Sequence, residues 1–208
     1  MTLETGKAAP RRRGRPRLYA AEQQALAATT ALLEQGDIRD ITMAQVARRA
    51  GISKITLYRR WPSKIALLAD AMLQRMAETM PLDENLPPLA AIGSHLLRMA
   101  RELGGATGTL ARSVLGECLS DPAMTAVLRE RWLGQRRDTA IRIIARGLGD
   151  GTFRAAGGAE ALHDMLYGAI WYRFLFGVGR LDGCAALGLM ETVLAPPAGW
   201  RERCPLPH

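Results

Sequence analysis

The chain is expected to be all-α. Apolar residues recur at three-to-four spacing through most of its length, Gly and Pro punctuate it at helix-like intervals, and no run alternates apolar and polar residues as a strand would. About nine helices follow. No internal repeat is evident. The length of 208 residues allows one or two domains with real cores, and a hydrophobic content of 48% argues against wholesale disorder.

In chain order, residues 1–17 carry little apolar content and read as a mobile basic arm. Ala20 to Gln35 is rich in Ala, Leu, Glu and Gln, which favour helix, and Gly36 ends it. Leu26, Thr29, Thr30 and Leu33 share one side. Asp37 to Ile41 is a short connection. Thr42 caps the next helix, whose Val46, Ala47 and Ala50 form a buried face. Gly51 follows where the chain must turn sharply. Ser53 then caps a short helix from Lys54 to Arg60. Leu57 points inward, while Lys54, Thr56, Tyr58, Arg59 and Arg60 stay outside. Two short helices meeting at a glycine make a helix–turn–helix, whose second helix suits a DNA major groove.

A longer helix starts near Pro62 and Ser63 and reaches about Met80, with Leu67, Leu68, Ala71, Met72, Arg75 and Met76 along its stripe. Pro81 to Pro88 marks a boundary. Helices follow from Leu89 to Leu103, Thr109 to Leu119, Asp121-Pro122 to about Leu148, Ala159 to Phe176 and Cys184 to Leu194. Pro196-Pro197 ends regular structure. The expected organisation is a basic arm over 1–17, a helix–turn–helix domain over 18–64, a connecting helix over 65–80, a helical regulatory and dimerisation domain over 81–195, and a tail over 196–208.

Charge divides the chain the same way. Residues 1–64 hold 13 Lys+Arg and 5 Asp+Glu, a difference of +8; residues 65–208 hold 15 and 15, a difference of zero. All the surplus cationic charge therefore sits with the helix–turn–helix, where phosphates reward it through counterion release. Within the arm, Arg13-Gly14-Arg15-Pro16 resembles the minor-groove element called an AT-hook. Arginines on a thin backbone can enter a narrow A·T-rich groove. A solubilising basic tail is the other reading of the same residues.

The run Thr42, Val46-Ala47, Ala50-Gly51-Ile52-Ser53, Thr56-Leu57-Tyr58, Trp61, Lys64 and Leu67-Leu68 resembles the DNA-binding domain of TetR/AcrR-type transcriptional regulators, over about residues 18 to 70. Ile55 departs from the smaller residue common there, and Trp61 from the usual Phe. More loosely, Leu115, Glu117-Cys118, Asp121-Pro122, Arg129-Glu130-Arg131, Arg136-Arg137, Leu166-Tyr167-Gly168 and Tyr172-Arg173 resemble the family's C-terminal domain. The resemblance implies a DNA-binding regulator, usually a repressor released from a palindromic operator by a small molecule. A ligand-independent or activating regulator is the alternative.

Roles follow on these residues. Lys54, Ile55, Thr56 and Arg60 sit where base edges could be read. Thr42, Tyr58 and Lys64 should hold phosphates, with Ser53 capping the recognition helix, and Arg13 and Arg15 should enter the minor groove. Tyr58 could instead be a core aromatic. The helix Ala159 to Phe176 is apolar on two stripes, so it needs neighbours on more than one side. Leu162, Leu166, Ile170 and Phe174, with Leu187, Met190 and Leu194, are expected to pair with their copies across a two-fold axis, making a homodimer. A fully buried monomer helix is the rival. Met99, Leu103, Leu115, Cys118, Trp132, Met165 and Trp171 are candidate lining for a small apolar or aromatic effector, which Glu117 and Arg112 would help orient.

An enzyme is not expected. His95, His163 and His208 are the only histidines, His163 and Asp164 fall on different helix faces, and there is no nucleophile elbow, phosphate loop or metal cluster. Gly104-Gly105-Ala106-Thr107-Gly108 follows a helix rather than a strand. No cofactor is implied. Three scattered cysteines and no secretory leader suggest a reduced cytoplasmic protein. The run Ala161 to Val178 holds His163, Asp164 and Arg173 and would make a poor membrane span.

Overall fold

The computed structural model describes residues 15–35 and 38–203, and only the backbone of residues 15–17, 106, 131, 132 and 203. The described residues are helical throughout, with no strand among them. They divide between Leu67 and Leu68 into two compact units.

The first unit holds α1 (Arg15–Leu33), α2 (Met43–Ala50), α3 (Lys54–Arg60) and the first residues of α4 (Lys64–Thr79). Helix α1 begins at Arg15, so Arg15, Pro16 and Arg17, counted above with the arm, open it. Its buried side is Ala25, Ala28, Thr29 and Leu33, with Leu26 and Thr30 only half-buried. The contact stripe is therefore rotated by one residue from the expected one. Thr29, buried mid-helix, satisfies its hydroxyl by donating to the Ala25 carbonyl at 2.7 Å.

Thr42 caps α2 in a full capping box. The Gln45 amide donates to Thr42 Oγ1, and Gln45 Oε1 accepts from the Thr42 amide at 2.7 Å. Gly51 ends α2 in the left-handed region (φ 66°, ψ 28°) and lets the chain reverse into Ser53. Ser53 caps α3 by accepting from the Thr56 amide at 3.1 Å. Met43, Val46, Ala47, Leu57 and Trp61 close the core of this unit. Tertiary packing of this face is what holds helices of seven and eight residues, too short to be stable alone.

The second unit holds the rest of α4, then α5 (Pro88–Gly104), α6 (Ala106–Leu119), α7 (Pro122–Leu128), α8 (Gly134–Gly149), α9 (Ala159–Phe176), α10 (Gly183–Leu194) and α11 (Trp200–Arg203). Helix α5 is central: it packs on α6, α8, α9 and α10. The expected long helix from Pro122 is there, but a π-helical turn over Arg129–Leu133 joins α7 to α8. Asp121 and Asp182 cap α7 and α10 with their carboxylates.

One expectation is corrected here. Pro196-Pro197 does not end regular structure. Trp200 starts α11, is 4% exposed, and donates its indole N–H to Glu191 Oε1 at 2.8 Å. The proline pair ends α10 without ending packing, because a large aromatic beyond it returns to the core.

The expected dimer stripe lies as follows in the single chain. Leu162, Leu166, Ile170 and Phe174 are buried within one chain, as are Met190 and Leu194, while Leu187 is half-buried. Helices α5, α8 and α10 of the same chain pack on α9 and provide that cover. The other stripe of α9 is open: Met165, Tyr172 and Phe176 are 60%, 57% and 71% exposed.

Candidate functional site

Two regions carry chemistry, one in each unit. In the first, α3 presents an outward face built on its capped N-terminus. Lys54, Ile55 and Tyr58 are exposed, and Ile55 is 81% exposed despite being wholly apolar. Thr42 and Ser53 are exposed at their caps. Thr56 is half-buried, with its hydroxyl 2.9 Å from that of Ser53. Exposed cations, hydroxyls and one branched apolar group at the start of a short helix match what a groove edge and its phosphates require.

Arg60 and Lys64 have partners within the chain. The Arg60 Nε donates to Glu22 Oε1 at 2.9 Å, and its guanidinium lies over the Trp61 ring. It braces α3 against α1. The Lys64 ammonium donates to the Ile38 carbonyl at 3.1 Å and approaches that of Arg39 at 3.5 Å, so it holds the loop before α2. Residue spacing could not reveal these long-range partners. Arg13 lies outside the described residues, as does the side chain of Arg15.

In the second unit, α4, α5, α8 and α9 surround a cavity of about 330 Å³, with Leu133 at its edge. Its apolar wall is Met76, Met80, Met99 and Trp171; its polar wall is His95, Arg136, Arg137, His163, Asp164 and Tyr167. Of the seven residues expected to line a pocket, Met99 and Trp171 do. Leu103, Leu115 and Cys118 are core residues away from it, and Met165 faces outward. The Trp132 side chain lies outside the described residues. Of the proposed orienting pair, Glu117 is exposed and Arg112 lies over the Phe174 ring, so neither lines the cavity. Burial pushes the Cys118 thiol up to about 11, which keeps it protonated.

The polar wall is what the sequence reading missed. His163 and Asp164 do meet: Nδ1 of the ring lies 2.8 Å from Oδ1. Neighbours on a helix diverge by roughly 100°, yet the proximal ring nitrogen sits close enough to the backbone to reach back. Arg137 donates to the same carboxylate through Nε and Nη2 at 3.3 and 3.2 Å. The Arg137 guanidinium first, and His163 second, hold Asp164 below the usual carboxylate range. His163 also stacks on Tyr167, with centroids 4.6 Å apart, four residues on along one face.

The His95 ring centroid lies 5.9 Å from that of Tyr167. Burial and then the Arg136 charge lower its pKa to about 4, so the ring is neutral near pH 7. Pro81 O, 3.2 Å from its Nδ1, can only accept, which places the ring proton on Nδ1. The i, i+4 spacing of His163 and Tyr167 was the one signal in the sequence that could have found this wall.

A helix–turn–helix domain followed by a separate helical unit with a cavity defines a class of protein: a DNA-binding regulator with a helical second domain. Comparison with known proteins gives the family. Residues 25–71 match the family model for bacterial regulatory proteins of the tetR family, and residues 91–193 match the tetracyclin repressor-like C-terminal domain. The chain is 31% identical over 180 residues to Rv1556 of Mycobacterium tuberculosis, an uncharacterized HTH-type transcriptional regulator, covering 84% of this chain and 86% of that one. Among solved structures, the TetR family regulator SCO0332 aligns with a TM-score of 0.72 at 25% identity, covering 84% of this chain and 97% of the other. RolR, solved with resorcinol bound, shares the fold with a TM-score of 0.63 at 18% identity, covering 93% and 98%. The chain belongs to the TetR family of DNA-binding transcriptional regulators. Among the described residues no helix is long and apolar enough to cross a membrane.

Proposed function

We propose that this protein is a homodimeric cytoplasmic repressor, released from a near-palindromic operator when a small molecule fills the cavity beside Tyr167. The observation that carries the DNA half is Ile55. A branched apolar side chain 81% in water on a seven-residue helix does nothing for the fold. Against a major groove it meets a thymine methyl. Lys54 and Thr56 flank it as base-edge readers, Thr42, Ser53 and Tyr58 hold phosphates, and Arg13 from the arm and Arg15 from the start of α1 reach the minor groove. Two copies paired through the open stripe of α9 would present two α3 helices to half-sites about 34–36 Å apart.

The cavity supplies the sensor. Met76 and Met80 belong to its wall, Met76 lies on α4 and Met80 just beyond it, and α4 begins in the first unit at Lys64. A molecule that favours one placement of α4 biases the DNA-binding unit through the helix both units share. The resorcinol bound by RolR supports a small aromatic effector.

Selection of bound duplexes from a random pool tests the reading. The expected result is a palindromic consensus, with Tyr58→Phe weakening binding to all sequences alike and removal of residues 1–17 costing most on A·T-rich flanks. A pool that enriches no duplex at modest ionic strength would overturn it.

A further inference from the structure

The cavity holds donors that nothing in the protein answers. Arg136 comes from α8 into its wall. A guanidinium carries five N–H donors and a fixed charge. One of those donors goes to the Met80 carbonyl, and among the described residues no carboxylate pairs with this arginine. Asp164, the nearest acid in the cavity wall, is already engaged by Arg137 and His163. Tyr167 is more than nine-tenths buried, and among the described residues its hydroxyl has no hydrogen-bond partner. His95 is neutral and brings no negative charge. The half-buried Arg136 thus lines, with no carboxylate of its own, a cavity whose apolar side is Met76, Met80, Met99 and Trp171.

Unpaired buried charge and unsatisfied buried donors are both costly, and proteins keep them where a ligand completes them. Donors without acceptors call for an acceptor, and an unbalanced cation calls for an anion. Resting on the effector reading above, we propose that the molecule this cavity senses is a small monoanionic organic acid. Its carboxylate seats on Arg136, and its aromatic or alkyl body lies between the methionines and Trp171. A volume of about 330 Å³ is at the small end for ligand pockets and suits an acid of one or two rings. The uncharged analogue, an amide, fits the same walls and leaves the charge unmet.

Calorimetric titration of the full chain with 2-naphthoate against 2-naphthamide, and octanoate against octanamide, tests the proposal. At least one acid should bind tenfold or more tighter than its amide. Arg136→Gln should remove most of that preference while sparing the amide, and Arg136→Lys should keep part of it. Amides binding as well as acids, or an Arg136→Gln protein with undiminished acid preference, would overturn the acid class and leave the effector cavity standing. If Arg136→Gln fails to fold, the wild-type comparison of acid with amide decides alone. Failure of all four compounds to bind would sink the acid proposal; failure of operator release by any small molecule would sink the effector reading beneath it.

Discussion

The Nε of Arg60, at the last residue of α3, lies 2.9 Å from Oε1 of Glu22 on α1. The pair is partly exposed, so it is worth no more than about 1 kcal/mol, and we expect it to persist on DNA. Arg60→Ala should therefore lower the urea midpoint slightly and leave the selected consensus unchanged. Ile55→Ala should do the opposite, relaxing one position in each half-site at constant stability. A consensus redrawn by Arg60→Ala would mean that the ion pair opens on DNA.

Trp200 predicts a stability effect in a region that reads as tail. Its ring is buried and its indole N–H is held by Glu191. Trp200→Ala should cost about 3 kcal/mol, as large-to-small changes of buried aromatics do. Denaturant unfolding of the variant measures this directly. A loss below 1 kcal/mol would show that α11 is dispensable to the second unit.

The open stripe of α9 predicts where two copies meet. Tyr172 and Phe176 sit one turn apart with ring centroids at 5.5 Å, and both face solvent in a single chain. Exposed apolar patches of this kind mark interaction surfaces. Tyr172→Glu with Phe176→Glu should weaken dimerisation on the order of a hundredfold, with helical content retained. Sedimentation at micromolar concentration reads the outcome. An undiminished dimer would move the interface elsewhere.

His95 predicts a pH dependence. Its pKa falls from 6.5 to about 4 on folding. Above pH 6.5 the ring is neutral in both states. Between pH 6.5 and 4 the unfolded chain takes up a proton that the folded chain refuses, so stability falls through that window and levels off below it. The loss is about 3 kcal/mol in total. Unfolding measured at pH 7 and pH 4.5 should show most of it, and His95→Phe should flatten that part of the curve. Equal slopes in both proteins would assign the dependence to other groups.

Much of this was legible in residue order. The helix–turn–helix is written in local rules: Thr42 and Ser53 as caps, Gly51 as the turn, Val46, Ala47 and Leu57 as the inner face. Such signals act over three or four residues and need no distant partner. The charge division at residue 64 is likewise a property of composition. The cavity was not legible. Its wall draws on α4, α5, α8 and α9, and it holds Met99 and Trp171 but not Leu103, Leu115, Cys118 or Met165. Apolar side chains with similar chemistry fill core and pocket alike.

By itself, then, the order of residues determined that the chain is helical, where it turns, and which end carries the surplus cations and the DNA-binding motif. Only the tertiary structure decided which stripe of α9 lies inside, that Arg60 and Lys64 find partners within the chain, and that two histidines pack near Tyr167 in the wall that holds Arg136. Periodicity records that a face is apolar and says nothing of what covers it. Burial, pairing and their absence depend on residues dozens of positions apart, which only packing brings together.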